Sequence, residues 1–216
     1  MASMTAVRRR LEESGVVAVL RNVDPDAMVE TVAGLQDGGV EAVEITADVR
    51  NAADIVARVT EAFEDKNVLV GAGSVLDAAT ARAMIDAGAA FVVGPTLEPD
   101  VIETAHRYDT LAAPGIMTPT EALRAAESGA DLLKVFPAGT VGPGHLSAIQ
   151  APLGDLPLMP TGGVDTDNVG AFFDAGATVV GAGSALVDHD AIERRDFDAV
   201  RAQAERFVSA VEDAQA

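Results

Sequence analysis

One pattern of apolar and polar positions recurs along the chain. An amphipathic segment ends at a glycine, and a short apolar run follows, as in LQDGGVEAVEIT, MIDAGAAFVVGP, AAESGADLLKVFP and FFDAGATVVGAG. Glycine directly after a periodic segment is typical of a helix C-terminus, and a short apolar run is typical of a buried strand. This alternation predicts βα units and a parallel sheet.

Extended over the whole chain, the pattern predicts eight strands separated by helices. The predicted strands cover residues 16–20, 42–46, 68–74, 91–95, 111–116, 131–137, 156–161 and 178–183. A helix is predicted over about 5–14 before the first strand and another over about 196–211 after the last. Eight such pairs predict a single-domain (β/α)8 barrel, the TIM barrel, over residues 1–216. An open doubly wound sheet is disfavoured because no G-x-G-x-x-G motif follows the first strand.

The charge balance narrows the possible partners. The net charge is −19, from 34 acidic and 15 basic residues, and a field of this sign repels nucleic acid and anionic membranes. No apolar run approaches the roughly 18 residues that span a bilayer. The N-terminus does not resemble a signal peptide, so a cytoplasmic location without nucleic acid or membrane partners is expected.

Strong acidity with only two lysines resembles proteins of salt-loving organisms, so a halophilic source is expected.

One of the two lysines lies in an apolar run. Lys66 lies in the polar segment EDKN, whereas Lys134 lies in DLLKVFPAG, inside a predicted strand. Because side chains alternate along a strand, Lys134 shares a face with Phe136, and Glu44 shares a face with Thr46. In a (β/α)8 barrel the C-terminal strand ends form the active site. An amine and a carboxylate would then enter one pocket, and a salt bridge without a catalytic role is the alternative.

Two glycine-rich segments follow the seventh and eighth predicted strands. The first contains Thr161, Gly162 and Gly163, and the second contains Gly183 and Ser184. Glycines let backbone N–H groups approach an anion, and the following helix N-terminus adds positive potential. These are the loops that often bind phosphate in (β/α)8 barrels. An acidic protein could thus hold a phosphate without a basic patch.

Other strand ends carry candidate binding residues, and metal motifs are missing from the sequence. Arg21 follows the first predicted strand, and Ser74 and Pro95 end the third and the fourth. The chain has no cysteine, and its three histidines lack the spacing of a metal motif. No metal and no other cofactor is therefore expected.

The motifs together resemble the 2-keto-3-deoxy-6-phosphogluconate (KDPG) aldolase family, which includes the 4-hydroxy-2-oxoglutarate (KHG) aldolases. The resemblance runs from VVAVLR to VVGAGSALV and rests on VEIT, VGAGSVL, GIMTPTEAL, LKVFPAGTVGPGHLSAI and MPTGGVDTDNV. It implies a metal-free class I aldolase on a TIM barrel, assembled as a homotrimer. Such an enzyme cleaves KDPG to pyruvate and glyceraldehyde 3-phosphate in Entner–Doudoroff-type sugar acid breakdown.

The resemblance also implies roles for particular residues. Lys134 matches the Schiff-base lysine, and Glu44 matches the general acid and base. The residues that match substrate-binding or phosphate-binding positions are Thr46, Ser74, Pro95, Phe136, Thr161, Gly162, Gly163, Gly183 and Ser184. Some members carry, four residues after the glutamate, an arginine that binds the substrate carboxylate; here that position is Asp48, and Arg50 comes two residues later. Arg21 is the remaining candidate for the carboxylate or the phosphate.

Three alternatives remain open from the sequence. The first is an aldolase of the same family that acts on the galactonate epimer, KDPGal, or on unphosphorylated 4-hydroxy-2-oxoglutarate. The second is a phosphate-binding barrel without Schiff-base chemistry, such as a thiamine-phosphate synthase or an epimerase, which does not need Lys134. The third is a sugar-phosphate sensor that binds without turnover.

Overall fold

The computed structural model describes residues 3–64, 66 and 68–216. Positions 65 and 67 of the polar segment EDKN lie outside the described residues. The strands are β1 (Val16–Leu20), β2 (Ala42–Thr46), β3 (Leu69–Gly73), β4 (Phe91–Val93), β5 (Leu111–Ala113), β6 (Gly115–Ile116), β7 (Leu133–Val135), β8 (Leu158–Pro160) and β9 (Val180–Ala182). The helices are α1 (Met4–Ser14), α2 (Met28–Asp37), α3 (Ala52–Ala62), α4 (Ala78–Asp86), α5 (Pro99–Arg107), α6 (Pro119–Glu127), α7 (Ala138–Val141), α8 (Gly144–Leu153), α9 (Val169–Asp174), α10 (His189–Glu193) and α11 (Phe197–Gln215). Among the described residues, no helix is both long and apolar enough to cross a bilayer.

The strands form an α/β fold with a curled, parallel sheet arrangement. A six-stranded sheet has the order β5-β4-β3-β2-β1-β9, and a three-stranded sheet has the order β6-β7-β8. Isolated parallel bridges join Leu158 to Ala177 and Thr161 to Gly181, between β8 and the β9 segment. The predicted α/β class is confirmed. The hydrogen-bonded ladders of the described residues do not, however, form the single ring of eight strands that the sequence pattern predicts.

One predicted strand is broken in two. The segment 111–116 gives β5 and β6, separated at Pro114, which has no N–H to donate to a ladder. Past the break, the Gly115 N–H donates to the Thr96 carbonyl, and the Pro114 carbonyl accepts from the Lys134 N–H at 2.9 Å. A Cβ at position 115 would overlap the Pro95 carbonyl, so this close approach requires glycine. The break transfers the chain from the larger sheet to the smaller one.

Two apolar clusters fill the fold, and strand alternation divides the side chains between them. In β1, Val16, Ala18 and Leu20 pack in the larger cluster with the helices, whereas Val17 packs in the second cluster. The second cluster takes side chains from or beside the strands of both sheets and from α1, and its members are Val7, Leu11, Val17, Ala42, Leu69, Phe91, Val93, Leu111, Ala113, Leu132, Met159 and Val179. This interior packing holds the two sheets against each other and brings their C-terminal strand ends together.

Candidate active site

A lysine and a glutamate from different sheets meet in the interior. Lys134 is the middle residue of β7, and Glu44 is the middle residue of β2. Lys134 Nζ lies 3.5 Å from Glu44 Oε1. Lys134 is 5% exposed, and Glu44 is fully buried. The structure thus brings together the amine and the carboxylate that strand alternation predicts for one pocket.

The Glu44 carboxylate is buried with unused hydrogen-bonding capacity. Neither Oε1 nor Oε2 has a hydrogen-bond partner among the described residues. Leaving such a group without hydrogen bonds in the interior costs free energy, and the nearest side-chain nitrogen is Lys134 Nζ at 3.5 Å. Both oxygens can therefore accept a proton or a hydrogen bond from a molecule that enters the pocket.

Glycine at position 73 makes room for this carboxylate. Gly73 is the last residue of β3, which pairs with β2 in parallel register. A Cβ at this position would overlap Glu44 Oε1 and crowd the rest of the carboxyl group. The sequence predictions assign a role to Ser74 of the G-A-G-S motif but none to Gly73 beside it.

Apolar side chains surround the strand that carries Lys134. Its neighbours Leu133 and Val135 are buried in the larger cluster on the opposite face of β7. Phe136 lies on the lysine's side, with its ring centroid 5.4 Å from Lys134 Nζ. This ring is 38% exposed, so it borders solvent while its face contacts the amine region. A molecule that reaches Lys134 can pack against this aromatic surface.

The three strand ends beside Glu44 carry a polar cluster. Arg21 Nη1 forms an ion pair with Asp48 Oδ2, and Arg21 Nη2 donates to Ser74 Oγ at 2.5 Å. Thr46 is buried, and its Oγ1 lies 3.5 Å from the Leu20 carbonyl oxygen. The sequence predictions include Arg21, Thr46 and Ser74 but not the ion pair between Arg21 and Asp48.

Arg50 is placed elsewhere. It lines a cavity of about 180 Å³ together with Pro25, Asn51, Asp54, Ile55 and Arg58. Of the two arginines considered for the substrate carboxylate, Arg21 is therefore the one that contacts residues bordering Glu44 and Gly73.

The first glycine-rich segment turns sharply after β8. Gly162 and Gly163 have φ values of +83° and +84°, which L side chains rarely adopt. The Gly162 carbonyl accepts from the Gly139 N–H at 2.7 Å, and the Gly163 carbonyl accepts from Asn168 Nδ2 at 2.9 Å. With both carbonyls held by the protein, this turn is fixed in one conformation.

The second glycine-rich segment lies beside the first. The Thr161–Gly181 bridge joins the two strands at this point. Thr161 is buried, its hydroxyl donates to the Met159 carbonyl at 3.3 Å, and a Cβ at Gly181 would overlap its Oγ1. In contrast, Ser184 is exposed, and a Cβ at Gly183 would meet nothing within 4 Å. An anion can approach the second segment, whereas the Thr161 hydroxyl packs between strands.

Pro95 packs with its backbone against the strand next to Lys134. It follows β4 and is half-buried, and its carbonyl lies against Gly115, the register partner of Lys134.

Within the described part of the chain, no three His, Asp or Glu side chains converge on a possible metal position.

Comparisons with known proteins identify relatives of this chain over most of its length. Residues 7–203 match the family model described as "Aldolase: KDPG and KHG aldolase". The chain is 35% identical over 172 residues to the 2-dehydro-3-deoxy-6-phosphogalactonate aldolase of Escherichia coli (strain K12), covering 79% of this chain and 83% of that protein. It is 30% identical over 209 residues to the 2-dehydro-3-deoxy-phosphogluconate aldolase of Treponema pallidum (strain Nichols), covering 96% and 99%. A solved structure described as "Native KDPGal structure" superposes with a TM-score of 0.85 at 33% identity, covering 93% of this chain and 95% of that one.

Proposed function

Because the chain belongs to the KDPG and KHG aldolase family of carbon–carbon lyases, we propose that it is a class I aldolase acting through a Schiff base on Lys134. Its substrate is a 2-keto-3-deoxy-6-phospho sugar acid, which it cleaves to pyruvate and glyceraldehyde 3-phosphate. The observation that carries the proposal is the 3.5 Å approach of Lys134 Nζ to Glu44 Oε1, with both side chains buried. An amine and an unpaired carboxylate are the two groups that this chemistry needs.

The reaction begins at Lys134. Its neutral amine attacks the C2 carbonyl carbon to give a carbinolamine, and loss of water leaves an iminium between Nζ and C2. The electron pair of the C3–C4 bond then moves toward the iminium nitrogen. An enamine remains on Lys134, and C4 leaves as the aldehyde carbon. Protonation of C3 and hydrolysis of the resulting iminium release pyruvate and restore the amine.

Glu44 moves the protons in this sequence. Its carboxylate is within 3.5 Å of Nζ, and both of its oxygens lack hydrogen-bond partners among the described residues. It takes the proton of the C4 hydroxyl as the bond breaks and returns one to C3 of the enamine. A group so close to Nζ can also transfer the protons of carbinolamine formation and dehydration. One side chain thus serves as both proton acceptor and proton donor.

The two charged ends of the substrate require different contacts. Arg21 offers a guanidinium for the carboxylate beside C2, since this group matches carboxylate geometry. Ser74 and Thr46 border the same end, and Phe136 and Pro95 border the carbon chain. The phosphate is held by the glycine-rich segments through Gly162, Gly163, Gly183 and Ser184, with Thr161 supporting them from between β8 and β9.

Two epimers are candidate substrates. The resemblance in the sequence motifs favours KDPG, whereas the 35% identity to the galactonate enzyme against 30% to the gluconate enzyme favours KDPGal. Both give the same two products, because C4 becomes the aldehyde carbon and loses its configuration. Turnover of each epimer by the same preparation, read as kcat/KM, assigns the substrate.

We infer three further properties, the first two from the family relationship and the third from composition. The two sheets would complete one (β/α)8 barrel over residues 1–216, which is supported by the interior cluster shared between the sheets and by the two bridges between β8 and β9. The chain would assemble as a homotrimer, which light scattering would test. Its acidity and lysine scarcity support a halophilic source.

Covalent trapping tests the proposed function. Borohydride reduces an iminium to a stable secondary amine, so treatment with pyruvate should attach a reduced pyruvate group to Lys134 and abolish activity. The Lys134→Ala variant should fold and form no adduct. Lys66→Ala is the matched control, since it removes the other lysine and should trap normally. Mass spectrometry of peptides reads the site, and an adduct confined to Lys66, or none at all, would refute the mechanism.

A further inference from the structure

A cluster of three polar side chains lies at the C-terminal ends of three neighbouring strands. Arg21, Asp48 and Ser74 follow or extend β1, β2 and β3, which are neighbours in the larger sheet. The guanidinium of Arg21 is held from two sides, by an ion pair from Nη1 to Asp48 Oδ2 and by a hydrogen bond of 2.5 Å from Nη2 to Ser74 Oγ. The Arg21 and Asp48 side chains are 48% and 41% exposed, so the cluster faces both solvent and the strand ends.

This cluster is linked to the strands around Glu44 through residues next to it in the chain. Ser74 follows Gly73, whose backbone packs against the Glu44 carboxylate. Arg21 follows Leu20, whose carbonyl oxygen lies 3.5 Å from Thr46 Oγ1, two residues along β2 from Glu44. A guanidinium carries five N–H groups, and the contacts with Asp48 and Ser74 occupy only some of them. Arg21 can therefore bind a carboxylate while Asp48 and Ser74 continue to hold it.

We propose that Asp48 is a positioning residue, which fixes the Arg21 guanidinium so that it receives the carboxylate of the 2-keto acid. The inference rests on the proposed function and adds a role for a residue that does not itself touch the substrate. Asp48 stands at the position where related sequences can place an arginine. In this chain the cation is Arg21, which directly follows β1, and Asp48, two residues beyond β2, supplies the anion that orients it.

Whether anion binding becomes weaker or stronger when Asp48 is removed distinguishes a positioning role from a general effect of its negative charge. Asp48 carries a negative charge beside a site for an anionic substrate, so removing that charge by itself should strengthen anion binding. If Asp48 orients Arg21, removing it should weaken binding, because a long and exposed side chain then loses one of its two anchors. The two roles thus predict opposite changes in the same measurement.

Pyruvate is the probe, because it carries the carboxylate and the keto group but no phosphate. The quantity measured is the pyruvate concentration that gives half-maximal borohydride inactivation. Asp48→Ala should raise it about tenfold, as expected for losing a charge-assisted hydrogen bond that orients a ligand group. Asp48→Asn should raise it less, because the amide oxygen still accepts from Nη1. The inactivation rate at saturating pyruvate should change by less than about threefold, since Lys134 and Glu44 are untouched.

A double-mutant cycle shows whether Asp48 acts through Arg21. Arg21→Ala should raise the half-saturating concentration at least as much as Asp48→Ala does. Adding Asp48→Ala to Arg21→Ala should then cause no further rise. Asp86→Asn is the matched control, because Asp86 also pairs with an exposed arginine, Arg82 at 2.6 Å, but lies in α4 away from the pocket. It should leave the half-saturating concentration unchanged.

Three results would overturn the inference. They are an unchanged or lower half-saturating concentration in Asp48→Ala, an equal rise when the change is made in Arg21→Ala, and a loss confined to the saturating rate. If Asp48→Ala does not fold, Asp48→Asn carries the same comparison. Failure of the wild-type protein to trap pyruvate at all would count against the proposed function, whereas normal trapping with an unaffected Asp48 variant would count against the positioning role alone.

Discussion

At the scale of single residues, Gly73 controls how closely β3 approaches the Glu44 carboxylate. Gly73→Ala would place a methyl group where Oε1 lies. The clash is with the Glu44 side chain from Cγ to Oε1 and not with backbone, so the protein should fold while the side chain, and with it the carboxylate, moves. Because a displacement of about 1 Å at a reacting group can cost about a hundredfold in rate, we expect kcat to fall by about that factor. Steady-state turnover of the phosphorylated substrate measures it.

A control variant shows whether the loss of turnover comes from the clash with Glu44 or from any glycine-to-alanine substitution. Gly144, the first residue of α8, has no atom within 4 Å of an added Cβ. Gly144→Ala should therefore keep full turnover. If Gly73→Ala also keeps full turnover, Glu44 does not need its observed position, and its assignment as the proton-transfer group is wrong.

Sequence reasoning placed Lys134 and Glu44 together and named Arg21 and Ser74 beside them, but it did not predict the Arg21–Asp48 ion pair. Lys134 and Glu44 could be predicted because strand alternation and burial are local properties, readable from a few neighbouring residues. The Arg21–Asp48 pair joins the ends of two strands, and its geometry depends on how adjacent loops fold. In the sequence, Asp48 is noticeable only because some members of the family carry an arginine at this position. The structure supplies the partner that explains it.

At the scale of elements, a capping box begins α6 just after β6. The Thr118 side chain accepts from the Glu121 N–H, and the Glu121 carboxylate accepts from the N–H groups of Met117 and Thr118. The bond from the Met117 N–H is the largest cause of a lowered Glu121 pKa, with the Thr118 contacts adding to it and burial opposing it. The helix start thus depends on an ionised glutamate.

Glu121→Ala should destabilise the protein by about 1 kcal/mol or less near neutral pH. Because the folded-state pKa lies below the ordinary value of 4.5, the contribution is present above that value. It is lost as the pH falls through the lowered pKa. Urea unfolding at about pH 7 and at about pH 3 should show the difference between wild type and variant shrinking toward acid. Glu61→Ala, an exposed residue of α3, is the control and should show no such trend.

The break between β5 and β6 shows where element prediction stops. The run 111–116 is apolar throughout, so periodicity alone reads it as one strand. Pro114 interrupts the ladder because it lacks an N–H, and its neighbour Gly115 lets the Pro95 backbone approach. The helix–strand order and most strand positions follow from glycine placement and apolar runs. How the strands divide into two sheets depends on contacts between distant segments.

At the scale of the whole molecule, the net charge of −19 predicts a dependence on salt. Repulsion among surface carboxylates destabilises the compact state, and salt screens it. Raising KCl from about 0.1 M to about 2 M should therefore raise the thermal midpoint by at least about 5 °C. Thermal unfolding followed by circular dichroism measures the shift.

The dependence of the thermal unfolding midpoint on KCl concentration shows whether charge screening causes the stabilisation. Screening is largely complete by about 1 M, where the Debye length is about 3 Å, so a charge effect should level off. A continued rise at higher salt would indicate solute exclusion from the protein surface instead. A midpoint that does not change with KCl would contradict the inference of a halophilic source.

The placement of Glu44 and Lys134 in two different sheets has a consequence for the rate at which the site forms. Glu44 and Lys134 belong to separate hydrogen-bonded ladders of the described chain, so each sheet could form without creating the site. Contacts of such long sequence separation form late, because loop closure must be accomplished first. The capacity to capture pyruvate would then appear only when the interior cluster has joined the sheets. Pulses of borohydride in the presence of pyruvate, given at different times during refolding, would measure when that capacity appears.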